Sequence, residues 1–166
     1  MLFRKFLLLF VFAIAAGYGF RVDAKSIVKV QSPINVAVIV AEKTSPQDMA
    51  SFCEYYGMTR DSSHGNDYIF VADDDSEIRF SSDSCSPAAN GKPIVEVFTK
   101  SSIKSAIKSL EQCGYYRVKD AEKDSSLKDC IVYEKGSRFL PTRMRCVIKK
   151  DNHCRLSFTR ITAKTF

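Results

Sequence analysis

The chain has 166 residues, with 25 Lys and Arg against 19 Asp and Glu, six cysteines, two histidines and no tryptophan. This size suits one domain with a real core rather than several, and the composition is that of a globular chain, not of a disordered or collagenous one. With two histidines and no closely spaced cysteine pair, the usual zinc ligand sets are excluded, as the nearest cysteines, Cys146 and Cys154, lie eight residues apart.

The first element is a leader. Arg4 and Lys5 form a basic flank, residues 6–16 (FLLLFVFAIAA) are apolar and uncharged, and Val22-Asp23-Ala24 supplies the small side chains a signal peptidase needs before Lys25. Residues 1–24 are therefore expected to be a signal peptide, leaving residues 25–166 as one mature domain. The apolar run is shorter than the roughly 20 residues that span a bilayer, and no later stretch reaches that length. A periplasmic or secreted location follows as the expectation. In such a compartment Cys53, Cys85, Cys113, Cys130, Cys146 and Cys154, an even number, are expected to form disulfides. Sequence does not choose among 15 pairings of six cysteines, but a hairpin near residues 150–152 would favour Cys146 with Cys154.

Next comes an apolar run, residues 34–40 (INVAVIV), with the look of a buried strand. Ser45-Pro46-Gln47-Asp48 then opens a helix that stops at Gly57. Ser45 can cap it, Pro46 suits its first turn, and Asp48 faces the positive end of the dipole. Strand-like runs follow at 68–71 and 77–80, joined by the turn 72–76. A second unit has a strand at 94–98, a helix from Ser101-Ser102 to Gly114, and strands at 115–118, 130–133, 144–148 and 155–161. Sliding the chain by 57 residues places Ser45 on Ser102 and Gly57 on Gly114. The expected fold is α+β, a largely antiparallel sheet with two helices on one face, built as two β-α-β-β pseudo-repeats at about 33–81 and 93–162 and held by disulfides.

Catalytic chemistry finds little support. Paired cysteines leave no thiol nucleophile, no Gly-x-Ser-x-Gly element exists, and His64 and His153 sit in turn-like segments. The acidic run Asp73, Asp74, Asp75 and Glu77 invites calcium, yet the sixth and twelfth positions of an EF-hand loop counted from Asp73 are Ile78 and Ser84 rather than glycine and glutamate. No catalytic residue, metal or cofactor is assigned.

Charge is unevenly spread. Residues 42–90 hold ten acidic side chains against three basic, whereas from Glu134 onward nine basic face two acidic. The candidate binding residues are Arg143, Arg145, Lys149, Lys150 and Arg155, which would attract an acidic partner. Alternation puts Arg155 and Arg160 on opposite faces of one strand, so no continuous cationic stripe for nucleic acid forms there. The expectation is a non-enzymatic binding protein acting on a protein partner in the cell envelope or outside the cell, in the manner of small inhibitors and immunity proteins; an anionic envelope component is a further candidate partner. The alternative is a small exported hydrolase using carboxylates.

Overall fold

The computed structural model describes residues 32–61, 65, 67–86, 91–127, 129–136, 142–150 and 154–162, with the backbone alone at Lys150. Every described residue belongs to one compact unit within residues 31–166. The segment expected as a leader, residues 1–24, lies outside the described residues, as do His64 and His153.

Helix α1 (Pro33–Ala41) opens the fold. This corrects the strand expected at 34–40. Valine and isoleucine favour a strand locally, but a short apolar run cannot be told from a buried helix by periodicity. Here Ser32 accepts from the Ile34 N–H at 3.3 Å and Pro33 fills the first turn, so the helix start is capped. Ile34, Ala37, Val40 and Ala41 are fully buried, and Val36 and Val38 nearly so. A helix apolar on nearly every side is stable only when surrounded.

Helix α2 (Pro46–Tyr55) and helix α3 (Ile103–Gln112) flank it. Ser45 accepts from the Asp48 N–H at 3.1 Å and Ser102 from the Ser105 N–H at 3.2 Å. Both helices end on a glycine with positive φ, Gly57 at 81° and Gly114 at 83°. Beyond each, the Met58 N–H donates to the Cys53 carbonyl and the Tyr115 N–H to the Leu110 carbonyl, both at 3.0 Å. This is one helix stop used twice, with glycine in the left-handed conformation that other residues resist. The 57-residue offset thus marks matching helix frames. The wider β-α-β-β repeat over 33–81 and 93–162 is not seen, because its first strand is α1.

The strands are β1 (Thr59–Asp61), β2 (Asp67–Val71), β3 (Glu77–Ser81), β4 (Pro93–Thr99), β5 (Tyr116–Arg117), β6 (Cys130–Lys135), β7 (Thr142–Lys150) and β8 (Cys154–Thr162). They form one antiparallel sheet ordered β1-β2-β3-β4-β8-β7-β6-β5. The fold is α+β, as expected, with three helices among the described residues in place of two. Each half of the sheet is a meander following a helix, and the halves meet where β4 pairs with β8.

One face carries Phe70, Ile78, Phe80, Val95, Val97, Tyr133, Cys146, Ile148, Leu156 and Phe158, which join the helices in a single core. Phe70 and Phe80 stack at 5.9 Å, and Tyr115 meets Phe158 edge-on at 6.2 Å. The acidic turn after β2 is a structural turn: Asp74 accepts from the Ser76 N–H at 3.0 Å, and Asp75, at φ 61°, pairs with Lys100 at 2.7 Å.

The expected disulfides are not seen: no bond joins Cys53, Cys85, Cys113, Cys130 or Cys146 to another cysteine. Cys146 lies opposite Phe158, and Cys154 opposite Lys150, so the pair proposed from the hairpin is offset by four positions. That is about 13 Å along the strands, well past the roughly 7 Å that a disulfide tolerates between Cα atoms.

Ile34 touches the middle of the core, so Ile34→Ala should lower unfolding free energy by about 3 kcal/mol. Urea denaturation followed by far-ultraviolet circular dichroism measures it; a loss within error of zero would mean α1 is not packed as described.

Candidate functional site: the open face of the sheet

Alternation along each strand sends every second side chain away from the helices. The register places these on shared rows. One row runs Val71, Glu77, Phe98, Arg155, Lys149, Cys130, and the next runs Ile69, Arg79, Glu96, Ser157, Val147, Val132. A third groups Arg145 with Thr159 and Glu134 on the β6–β8 side and Asp67 with Ser81 on the β2–β3 side. Neither Ile69 nor Val132 belongs to the core cluster under the helices, although both are buried.

At the centre of the face the Phe98 ring lies between two guanidiniums, Arg79 at 4.7 Å and Arg155 at 5.0 Å from its centroid. Each arginine also pairs with a carboxylate, Arg79 with Glu77 and Arg155 with Glu96. The result is a flat, stacked patch in which cation–π contact and ion pairing hold the side chains against the sheet. All four charged groups keep about a third of their surface or more, so these pairs add little stability.

Toward β6 the face becomes deeper. Glu134 is 2 % exposed. Both of its oxygens are held: Arg143 donates to one at 2.9 Å, and Arg145 donates twice to the other, at 2.9 and 2.7 Å. The period of two between Arg143 and Arg145 sets both on one side of β7, and the β6–β7 register places Glu134 opposite Arg145, where Arg143 also reaches it. Two cations around one buried carboxylate leave a net positive charge.

The sequence candidates divide as follows. Arg143, Arg145, Lys149 and Arg155 all lie on the open face. Lys150 is opposite Cys154 in the register, and its side chain is outside the described residues. Arg160 belongs to the helix-covered side, where it donates to the Lys43 carbonyl at 3.4 Å. Sequence reasoning missed Glu134, Phe98, Glu96 and Arg79. Only the Arg143-x-Arg145 spacing hinted at a shared partner, and nothing local pointed to Glu134 as that partner.

The face is polarised. Its β6–β8 half carries Arg143, Arg145, Lys149 and Arg155 against Glu134, while β1–β3 contribute Asp61, Asp67 and Glu77 against Arg79. Beside β6, the turns 121–123 and 125–127 follow the sheet edge, with Glu122 accepting from the Val132 N–H at 3.2 Å.

Apart from Cys130, the cysteines lie elsewhere. Burial pushes Cys53 up to about 12, with Glu54 adding to the shift, and raises Cys146 well above the ordinary thiol value. Cys85 and Cys113 are raised by burial as well, against the opposing pull of Arg160 and Lys135 respectively. Among the described residues no group of three or more His, Cys, Asp or Glu could hold a metal ion, and no helix is long and apolar enough to cross a membrane.

No family model matches this chain, and neither a curated protein nor a solved structure matches it.

Two outcomes test the site. Glu134→Gln should destabilise the fold by about 2 kcal/mol in denaturant titration, less than a fully buried pair because both arginines keep some exposure. In folded, reduced protein at about pH 8, iodoacetamide should label Cys85 and Cys113 well before Cys53 and Cys146, since the thiolate is the reactive form and burial suppresses it. Peptide mass spectrometry gives the order, and equal rates at all four would contradict the burial described.

Proposed function

We propose that the chain is an exported, non-enzymatic binding protein whose contact surface is the β6–β8 half of the open sheet face, taking an acidic surface of a protein partner. The observation that carries the reading is the gathering of Arg143, Arg145, Lys149 and Arg155 beside Phe98 on a face that none of the described helices covers. Arginine and aromatic side chains at the centre of a flat patch are what protein interfaces favour. Arg143, Arg145 and Arg155 already pair with Glu134 and Glu96, so orientation and stacking add to raw attraction.

Export rests on the leader: the basic flank at Arg4 and Lys5, the apolar run 6–16 and the small side chains before Lys25. It does not rest on disulfides, because the thiols stand apart on their own elements. A periplasmic or extracellular partner follows from that location.

Two measurements test this. Expressed with its leader, the protein should be recovered outside the cytosol with Lys25 as its first residue by N-terminal sequencing; recovery in the cytosol with Met1 retained would remove the export half of the reading. As a probe, poly-L-glutamate should bind the wild-type chain and release as salt rises, because exposed charges are screened beyond about 8 Å at physiological ionic strength. Arg145→Glu combined with Lys149→Glu should abolish that binding, and undiminished binding would move the contact surface elsewhere.

A further inference from the structure

The open face is antisymmetric about its own midline. In the order β1-β2-β3-β4-β8-β7-β6-β5 the midline falls between β4 and β8. Strands equally far from it are β4 and β8, then β3 and β7, then β2 and β6. Acidic side chains dominate on one side of the line and basic ones on the other, among the described residues.

We infer that this face is occupied by the same face of a second copy, related by a two-fold axis lying along the strands over the β4–β8 junction. Such an axis turns each copy over and sets its acidic half against the basic half of the other, twice. The inference rests on the reading above, that the β6–β8 half takes an acidic surface, and names that surface as β2–β3 of the second copy.

The register specifies the partners. Rotation about an axis along the strands keeps each residue on its own row. Glu77 and Lys149 share a row on β3 and β7, equally far from the midline, so Glu77 of one copy meets Lys149 of the other. Lys149 is exposed and has no ion-pair partner among the described residues. Phe98 and Arg155, also on that row, flank the axis, and the two copies bring together two phenyl rings and two guanidiniums that already stack within each chain. Asp67 on β2 comes to the Arg143–Glu134–Arg145 cluster, whose net charge is positive.

Packed sheets are rotated by about 30°, which displaces the Glu77–Lys149 pair by only about 4 Å because β3 and β7 lie close to the axis. Long side chains absorb that. Seven strand spacings of about 4.8 Å and a mean strand length of about 20 Å give roughly 700 Å² per copy, near the roughly 800 Å² per partner of a standard interface.

Sedimentation velocity of the purified chain over a concentration series tests the pairing. The expected result is a monomer–dimer equilibrium that weakens with salt. Glu77→Lys and Lys149→Glu should each weaken the dimer by about tenfold or more, and the chain carrying both should recover most of the loss, since each contact joins the two positions across the axis. Both residues are on the surface, and circular dichroism checks that the variants fold. A wild-type chain that stays monomeric up to its solubility limit, or a double variant no tighter than the single ones, overturns the inference. Poly-L-glutamate separates the two readings. If it binds a strictly monomeric chain and Lys149→Glu weakens that binding, the second copy is excluded while the acidic-surface reading stands. If neither a second copy nor the polymer binds, both fall.

Discussion

Burial of α1 is the constraint on which the rest of the structure depends. Its side chains are apolar on nearly every side, so it cannot lie on a surface; it needs a sheet beneath and neighbours on its flanks. β4 supplies the floor, and α2 and α3 supply the walls. Once one side of the sheet is committed to covering this helix, the three described helices are collected there, and the other side carries most of the strands' charged residues together with Phe98 and scattered aliphatic side chains.

Chain order then turns an uneven sequence into a polarised surface. The acidic stretch between residues 42 and 90 builds β1 to β3, and the basic stretch after Glu134 builds β7 and β8. Because each half folds as a meander of its own and the halves join only at β4 and β8, the two signs of charge stay apart in space. Had β7 inserted beside β2, the same side chains would have neutralised one another within the chain. The separation that remains can act on a partner.

The cysteines illustrate how position in a fold overrides composition. An even count in a chain whose opening residues read as a leader suggests a covalent framework. Cys53 and Cys146 instead fill core positions as small apolar groups, a common role for a buried thiol. Cys130 lies on the open face, and Cys113 caps the end of α3. Cys85 lies beside the Met49 sulfur, and Cys146 stands opposite Phe158 in the strand register.

What the sequence determined by itself was local chemistry. The caps at Ser45 and Ser102, the glycine stops at Gly57 and Gly114, and the alternation that split Arg155 from Arg160 depend on residues a few positions apart, so a linear reading reaches them. It also located the cationic strands and the class of fold. Only the tertiary structure decided that residues 34–40 coil into a helix, because their valines and isoleucines favour a strand until a surrounding core outweighs that preference. Only the register decided that Glu134 meets Arg143 and Arg145, that Phe98 lies between Arg79 and Arg155, and that Cys146 and Cys154 stand four positions apart. Those contacts join residues from separate strands, up to about 57 positions distant in the case of Phe98 and Arg155, and a one-residue slip would have sent every one of them to the opposite face.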